Sequence, residues 1–301
     1  MMDMRKGDIQ NIVIEGGGTM GASMARIFAQ QGYSVTLHGR RQETLDRARG
    51  QLDEGTQRAI RFSLTDEAFA DCDLLVENIA EELEVKRAYF ARVSRLVRQD
   101  AILATNTSGL SITKIAEAVE GPERFAGFHW FNPPHIIPLI EVIAGDRTAP
   151  ETADRLYRLA EAIGKKPIHV NRDVPGFIAN RIQLAILREC VHMVEQGIGS
   201  YEDIDRAMKY GLGFRYACLG PFEVVDHGGA DIFCHIAEYL YRDLSAAQSP
   251  EGLLADMVGE GRFGVKSGRG FYDYGGERAA EAIAARNRMY EKLAEANITE
   301  A

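Results

Sequence analysis

A glycine-rich turn between two short apolar segments constrains the fold of this chain more than any other feature. The stretch NIVIEGGGTMGASMARIFAQQGYSVTLHGRR holds Gly16, Gly18 and Gly21 in a G-x-G-x-x-G frame. The segment NIVI predicts a buried strand, residues 22–30 predict a helix that stops at Gly32, and YSVTLH predicts a second strand. A strand, a glycine turn, a helix and a second strand are the opening unit of a Rossmann-type dinucleotide-binding domain.

Each glycine of this frame has its own physical task. Gly16 allows a sharp turn, Gly18 allows backbone to approach a pyrophosphate, and Gly21 allows the helix to pack close to the strand. The N-terminus of the predicted helix then offers free N–H groups and the positive end of the helix dipole to phosphates. Thr19 and Met20, between the glycines, are expected to contact the cofactor as well. A tight turn without a ligand is the alternative, but the strand–helix–strand setting favours a nucleotide site.

The end of the second predicted strand bears on the choice between NAD and NADP. NAD-dependent domains usually have an acid there, which holds the ribose hydroxyls, whereas this chain reads HGRR. Arginines match a phosphate by paired hydrogen bonds, so Arg40 and Arg41 favour NADP over NAD. The alternative is a solvated helix start, with one arginine stacked on the adenine of either cofactor. Glu15, directly before the glycines, places an acid beside the phosphate site, and the sequence offers no reason for it.

The rest of the first half alternates between predicted strands and helices. DCDLLVENIAEELEVKRAYFARV and AILATNTSGLSITKIAEAV each read as a strand followed by a helix, and RFAGFHWFNPP and LIEVIAG add two more strands. This alternation predicts an α/β domain with a mostly parallel sheet over residues 1–172. The loops at Glu81, 106–108 and 129–132 should gather at the carboxyl edge of the sheet, where open sheets bind ligands.

The second half is predicted to be all-helical over residues 173–301. RDVPGFIANRIQLAILRECVHMVEQG reads as one long helix, and SYEDIDRAMKYG as a shorter helix that Ser200 caps and Gly211 ends. The long helix is apolar around most of its circumference, which is typical of a core or an interface. We therefore expect a homodimer, with a self-contained helical domain as the alternative.

The overall composition excludes several classes of partner. The 301 residues are 46% hydrophobic and 26% charged, enough for one large or two ordinary domains. A formal net charge of −9 argues against nucleic acid and against an anionic membrane surface. Four cysteines without CxxC spacing predict free thiols in a reducing compartment and no metal site. The first ten residues are too short and polar for a signal peptide, and no apolar run would span a membrane, so we expect a cytoplasmic protein.

One apolar stretch of the first half contains two polar residues whose burial calls for a partner. AGFHWFNPPHIIPLIEVIAG sets His129 among apolar neighbours and sets Glu141 in a second apolar run. A buried, unpaired carboxylate costs several kcal/mol. If the two pair, His129 can take a proton from an alcohol while Glu141 holds the other ring nitrogen. A structural histidine and an edge-strand glutamate are the alternative.

The chain resembles the L-3-hydroxyacyl-CoA dehydrogenase family over nearly its whole length. The matching motifs, in the family's order, are GGGTMG, VENIAEELEVK, NTSGLSIT, RFAGFHWFNPP, IEVIAG, DVPGFIANR, GPFEVVD and KSGRGFYDY. The resemblance implies that His129 is the catalytic base and Glu141 its orienting partner. It also implies that Ser108 and Asn180 hold the substrate oxygen or nearby groups.

The same resemblance implies the positions of further ligand contacts. Asn132 would lie near the substrate, and Asn106 near the substrate and the nicotinamide. Glu81 and Lys86 occupy family positions that contact the cofactor.

Two departures from the family pattern bear on the substrate. CoA-using members carry a long helical insertion after the second strand, and the stretch between Arg40 and Asp73 has no room for it. GLGFRYACLGPF is longer than the corresponding run of those members and looks like the lambda-crystallin/L-gulonate dehydrogenase branch. It is also similar to a relative that oxidises a pyridine carboxylate. Arg215 of this run, expected in a loop between two helices, could clamp a free carboxylate, or could be a surface arginine.

These features together predict an NAD(P)-dependent dehydrogenase that oxidises the hydroxyl of a small 3-hydroxy acid, or runs the reverse reduction. A short-chain 3-hydroxyacyl-CoA dehydrogenase is the alternative within the family. A non-catalytic nucleotide-binding protein is the alternative outside enzymes, which the intact set of polar site residues disfavours. Dehydrogenases of the 6-phosphogluconate type use a lysine in the first helix of the second domain, and GFIANRIQ contains none.

Overall fold

The computed structural model describes residues 9–250 and 252–297. The start of the chain, predicted to be a short polar segment and not a signal peptide, lies outside the described residues up to residue 8. The chain divides into two compact units, Met1–Arg181 and Ile182–Ala301. The sequence pattern predicts the change to helical character at 172/173, shortly before this division.

An eight-stranded sheet with the order β3-β2-β1-β4-β5-β6-β7-β8 forms the centre of the first unit. The strands are β1 (Asn11–Glu15), β2 (Ser34–His38), β3 (Ile60–Ser63), β4 (Leu74–Glu77), β5 (Ile102–Thr105), β6 (Phe125–Trp130), β7 (Leu139–Ile143) and β8 (Lys166–Val170). All neighbouring pairs are parallel except β6 and β7, which are antiparallel. The predicted α/β fold with a mostly parallel sheet is confirmed.

Helices cover both faces of this sheet. They are α1 (Thr19–Gln30), α2 (Gln42–Gly50), α3 (Glu54–Ala59), α4 (Leu83–Val93), α5 (Ile112–Ala116) and α6 (Pro150–Ala162). Along β1, Ile12 and Ile14 belong to one buried apolar cluster and Val13 belongs to another. Because side chains alternate along a strand, these two cores lie on opposite faces of the sheet. The strand order reverses at β1 and β4, which opens a crevice at their carboxyl ends.

The rest of the chain is helical. The helices are α7 (Ala179–Glu195), α8 (Tyr201–Ala207), α9 (Gly213–Tyr216), α10 (Pro221–Gly228), α11 (Ala230–Leu240), α12 (Leu253–Gly259) and α13 (Arg278–Asn297), with a π-helical turn at Met208–Leu212. The Ser200 hydroxyl accepts a hydrogen bond from the Asp203 N–H at 3.1 Å, so the predicted cap is confirmed. Among the described residues, no helix combines the length and the apolar character that crossing a membrane requires.

Two predicted helix boundaries are wrong. The long helix does not include its predicted first turns, because Gly176 (φ +75°) and Phe177 (φ +51°) take left-handed conformations and α7 begins at Ala179. The helix that starts at Tyr201 does not end at Gly211. The π-helical turn carries the backbone through this glycine into α9, which ends at Tyr216.

The second unit exposes much of its apolar surface. Leu184 on α7 is 58% exposed and Phe222 on α10 is 84% exposed. Among the described apolar residues of this unit, only Met257 is buried. A helical unit with so small a core needs a further surface to cover its apolar side chains.

Candidate active site

The glycine turn between β1 and α1 has the shape that a dinucleotide phosphate requires. Gly16 has φ +98°, and a Cβ atom there would lie 2.5 Å from the Asn78 carbonyl oxygen. A Cβ atom on Gly21 would lie 1.9 Å from the Gly16 carbonyl oxygen, whereas one on Gly18 would meet nothing within 4 Å. Gly18 therefore faces open space at the start of α1, which has no side-chain cap. This open, uncapped helix start fits a pyrophosphate.

The end of β2 presents two exposed arginines. Arg40 and Arg41 directly precede α2, and no side chain caps that helix. A Cβ atom on the buried Gly39 would lie 3.1 Å from Leu45 Cδ2, so an acid at this position would press on the core. The two guanidinium groups thus stand where a ribose-binding acid is usual in NAD-dependent domains.

The structure supplies the partner that the sequence does not indicate for Glu15. Its carboxylate lies 2.5 Å from Nδ1 of His38 and accepts a hydrogen bond from the Tyr89 hydroxyl at 3.1 Å. Both Glu15 and His38 are buried. Burial is the largest cause that raises the pKa of Tyr89 well above its usual value, and the adjacent Glu15 carboxylate raises it further. Tyr89 therefore stays a neutral donor to this pair.

A second buried ion pair lies under the loop that follows β4. Lys86 Nζ is 2.6 Å from Glu77 Oε1 and 3.4 Å from Glu81 Oε2. The second oxygen of Glu81 accepts hydrogen bonds from the Thr107 hydroxyl at 2.6 Å and from the Ser108 N–H at 2.8 Å. Glu81 therefore links the buried lysine to the loop that carries Ser108. Contact of Glu81 and Lys86 with the cofactor stays a prediction.

Asn106 connects three neighbouring strand ends. Its side-chain nitrogen Nδ2 donates to Asn78 Oδ1 at 2.9 Å, and its side-chain oxygen Oδ1 accepts the backbone N–H of Trp130 at 2.7 Å. Asn78 follows β4, Asn106 follows β5 and Trp130 ends β6. The loops predicted at the carboxyl edge of the sheet are thus joined to one another there.

His129 and Glu141 face each other across the only antiparallel strand pair of the described sheet. The register places His129 of β6 directly opposite Glu141 of β7, and His129 Nδ1 lies 2.8 Å from Glu141 Oε2. His129 is 3% exposed and Glu141 is 0% exposed. Because the carboxylate occupies Nδ1, the ring nitrogen Nε2 is the one that can exchange a proton with a substrate.

Backbone N–H groups hold the second oxygen of Glu141. Oε1 accepts the N–H of Ile178 at 3.0 Å and that of Ala179, the first residue of α7, at 2.8 Å. Burial by itself raises the pKa of Glu141. The hydrogen bond from His129 and the two N–H groups outweigh burial, so that the pKa of Glu141 lies below its usual value. The carboxylate is therefore ionised and fixed in place.

The segment that leads into α7 also contacts the loop that carries Ser108, called here the serine loop (residues 106–108). Asn180 Nδ2 donates to the Ser108 carbonyl oxygen at 2.8 Å. The Phe177 ring lies 5.8 Å from the His129 ring, and its left-handed backbone turns the chain into α7. One short segment thus brings the predicted residues Ser108, Asn180, His129 and Glu141 into a single region.

Two predicted substrate residues lie outside these contacts. Asn132 is exposed in the loop after β6. Arg215 lies on α9 and not in a loop, which corrects the prediction, because the helical backbone continues through Gly211. In its own unit Arg215 lines a cavity of about 410 Å³ together with Cys218 and His227.

Sequence reasoning missed Glu77, Thr105 and Lys165. Glu77 ends the apolar run LLVE, a signal related to that of Glu141, which lies inside an apolar run, and the Thr105 hydroxyl donates to Glu77 at 2.7 Å. Lys165 follows α6 in a polar stretch, and no local pattern marks it as buried.

Comparison with known proteins identifies the family of the chain. Residues 11–174 match the family described as 3-hydroxyacyl-CoA dehydrogenase, NAD binding domain, and residues 176–274 match its C-terminal domain. A 5-formyl-3-hydroxy-2-methylpyridine 4-carboxylate 5-dehydrogenase from Mesorhizobium japonicum is 38% identical, covering 93% of this chain and 96% of that protein. A probable 3-hydroxybutyryl-CoA dehydrogenase from Deinococcus radiodurans is 37% identical, covering 86% of this chain and 98% of that protein.

Solved structures give the same result. A crystal structure of a 5-formyl-3-hydroxy-2-methylpyridine 4-carboxylic acid 5-dehydrogenase, described as an NAD⁺-dependent dismutase, superposes with a TM-score of 0.92 at 35% identity. The match covers 97% of this chain and all of that one. The narrower resemblance to the lambda-crystallin branch stays a prediction. The match of both domains and of full-length relatives shows that the chain belongs to the 3-hydroxyacyl-CoA dehydrogenase family and is an NAD-dependent dehydrogenase.

Proposed function

We propose that this dehydrogenase oxidises the hydroxyl of a small free 3-hydroxy acid, or reduces the corresponding carbonyl, with His129 as general base. The observation that carries the proposal is the buried pair of His129 and Glu141 at the carboxyl edge of the sheet that also holds the glycine turn. A histidine fixed in this way can move one proton at one ring nitrogen.

The proposed roles follow from the hydrogen bonds. The glycine turn would hold a nicotinamide dinucleotide, which would supply the hydride acceptor for the carbon that bears the hydroxyl. His129 takes the hydroxyl proton at Nε2, and Glu141 stabilises the imidazolium that results. Ser108 and Asn180, joined by a 2.8 Å hydrogen bond, hold the substrate oxygen. The hydrate of an aldehyde has the same H–C–O–H unit as an alcohol. The same groups could therefore also oxidise an aldehyde to a carboxylic acid.

Two observations and one hypothesis support a small acid over a thioester. The chain between β2 and β4 contains only the short helices α2 and α3, the strand β3 and a 3₁₀ turn. The family resemblance implies a long helical insertion at this place in CoA-using members. A relative of 38% identity is named for a pyridine carboxylate. Arg215 lines a cavity of its unit and is proposed to clamp a carboxylate.

A short-chain 3-hydroxyacyl-CoA dehydrogenase is the second candidate. The relative from Deinococcus radiodurans, 37% identical, is named as a probable 3-hydroxybutyryl-CoA dehydrogenase. The His129–Glu141 pair would serve a thioester as well as a free acid, so the pair does not separate the two substrates.

Turnover against a panel of substrates decides between these candidates. The panel contains free 3-hydroxy acids, 5-formyl-3-hydroxy-2-methylpyridine 4-carboxylate and 3-hydroxybutyryl-CoA. We expect efficient turnover of a free acid, and Arg215→Ala should raise its KM much more than it lowers kcat, because a clamp acts in the ground and transition states alike. Efficient oxidation of the thioester, with no response to loss of Arg215, would instead establish the second candidate.

The proposal extends to cofactor preference, assembly and location. Arg40 and Arg41 support NADP, whereas the solved relative is described as NAD⁺-dependent. The exposed apolar side chains of the second unit support a homodimer. The net charge of −9 and the unpaired cysteines support a cytoplasmic location without nucleic-acid partners.

A further inference from the structure

A buried lysine holds the loop that connects the two strands of the His129–Glu141 pair. Lys165 lies between α6 and β8 and is 9% exposed. Its ammonium donates hydrogen bonds to the carbonyl oxygen of Pro134 and, at 2.9 Å, to that of Ile137. It also lies 5.4 Å from the centroid of the Trp130 ring.

The loop in question, residues 131–138, has the sequence FNPPHIIP and joins β6 to β7. The N–H groups of Ile136 and Ile137 donate to the Pro133 carbonyl oxygen at 3.1 and 3.0 Å, which closes a turn. The carbonyl groups of Pro134 and Ile137 in this turn point to Lys165, as the carbonyl groups at a helix C-terminus can point to a cation. The same loop carries Asn132, the residue expected near the substrate.

We propose that Lys165 is a positioning residue for substrate binding, whose protonated ammonium holds loop 131–138 and thereby Asn132 in the conformation that receives the substrate. Charge-assisted hydrogen bonds are about twice as strong as neutral ones, so loss of the proton weakens both contacts to the loop. The contact with the Trp130 ring is lost as well, because a neutral amine has no attraction of this kind to an aromatic face.

The charge of Lys165 is set by its surroundings. Its two acceptors are backbone carbonyls, which carry no full charge, and burial lowers its pKa to about 8. The titratable and charged side chains on the surrounding elements are His129 of β6, His135 of the loop, Glu141 of β7, Glu151, Asp154, Arg155, Tyr157, Arg158 and Glu161 of α6, and Lys166 and His169 of β8. The ammonium is therefore present below about pH 8 and lost above it.

Fluorescence provides a test that needs no substrate, because Trp130 is the single tryptophan of the chain. We expect its emission to change in a transition centred near pH 8 when the wild type is titrated from about pH 6.5 to about 9.5. A midpoint near pH 8 lies between the ordinary pKa of a histidine, about 6.5, and that of a lysine, about 10.4. Lys165→Met should abolish the transition. Lys166→Met, which removes the exposed neighbouring ammonium, and His135→Gln should retain it.

Substrate kinetics tests the link to binding, which rests on the proposed function. Above pH 8 the KM of the wild type for its acid should rise by about tenfold, equivalent to about 1.4 kcal/mol, with a smaller change in kcat. Lys165→Met should show the high KM already at neutral pH and no further rise. Lys165→Arg, which stays charged, should keep a low KM at high pH.

The two readouts separate failure of this proposal from failure of the proposed function. Absence of the fluorescence transition in the wild type overturns the proposal even where Lys165→Met does not fold. A transition without any change in KM overturns the positioning role. If no acid of the panel is turned over, the fluorescence titration still decides whether Lys165 holds the loop.

Discussion

At the scale of single residues, a buried carboxylate is retained here because three donors satisfy it. Glu141 receives a hydrogen bond from His129 and two from the start of α7, and together they outweigh the effect of burial on its pKa. Removing any one donor leaves the Glu141 charge less well satisfied, and no water can replace that donor because the residue is fully buried. The pair is therefore rigid enough to keep one tautomer of His129.

The role of the pair can be measured by substitution. We expect His129→Ala to lower kcat by about 10²–10⁴-fold, the range typical of a general base, and Glu141→Gln to lower it less. The dissociation constants of NADH and NADPH should stay near wild-type values, because the glycine turn is unchanged. A His129→Ala enzyme with wild-type turnover on its best substrate would exclude His129 from the chemistry.

The two arginines after β2 make a prediction about cofactor choice. We expect NADPH to bind at least about tenfold more tightly than NADH, since hydrogen bonds to charged groups contribute about 1.5–3 kcal/mol. Changing Arg40 and Arg41 together to Ala should remove the difference. Arg47→Ala, an exposed arginine on α2, is the matched control and should leave the ratio unchanged. Tighter binding of NADH by the wild type would assign the arginines another role.

At the scale of elements, a buried ion pair ties β4, α4 and β5 together. Glu77 accepts hydrogen bonds from Lys86, from the Thr105 hydroxyl and from the Ile79 N–H at 2.5 Å. Both charged groups are buried, so either one alone would be an uncompensated charge. This pair also supports Glu81, which holds the serine loop.

Unfolding in urea tests the coupling of these elements. Glu77→Leu should lower the free energy of unfolding by about 3–5 kcal/mol, because Lys86 loses its counter-charge. Adding Lys86→Met to that variant should recover much of the loss. Glu54→Ala, which breaks an exposed pair with Arg58, should change stability by less than about 1 kcal/mol. Equal effects of Glu77→Leu in the presence and absence of Lys86 would contradict the coupling.

At the scale of the whole molecule, the two units differ in how they bury apolar surface. The first unit has two cores around its sheet, whereas the second exposes residues such as Leu184, Phe214 and Phe222. Exposed apolar side chains in such number on one unit predict an interaction site. A second copy of the chain is the partner that requires no further component.

Assembly can be measured by analytical ultracentrifugation. We expect the wild type to sediment as a dimer, and Leu184→Glu to shift it toward monomer, because a charge in an apolar interface is not solvated. Arg58→Glu on α3 alters surface charge in the first unit and should leave the dimer intact. A monomeric wild type at micromolar concentration would show that the second unit stands alone with its apolar surface exposed.

The sequence by itself determined the strand–turn–helix opening, the parallel sheet and the candidate residues at its carboxyl edge. These features follow from local spacing, because glycine geometry and apolar periodicity act within a few residues. The family motifs located His129 and Glu141, and the register of β6 and β7 then placed them face to face. Local pattern did not predict the start of α7, where Phe177 takes a left-handed conformation that a non-glycine residue rarely adopts.

Only the tertiary structure decided which buried polar groups meet. Glu15 meets His38 from the next strand, Glu77 meets Lys86 from a helix, and Lys165 meets the loop that begins 34 residues earlier, at Phe131. In each case the partners lie on different elements, 9 to 31 residues apart in sequence, and their contact depends on how strands and helices pack. A buried charge is stable only where such packing brings a donor or acceptor to it, so its partner is a property of the fold and not of the local sequence.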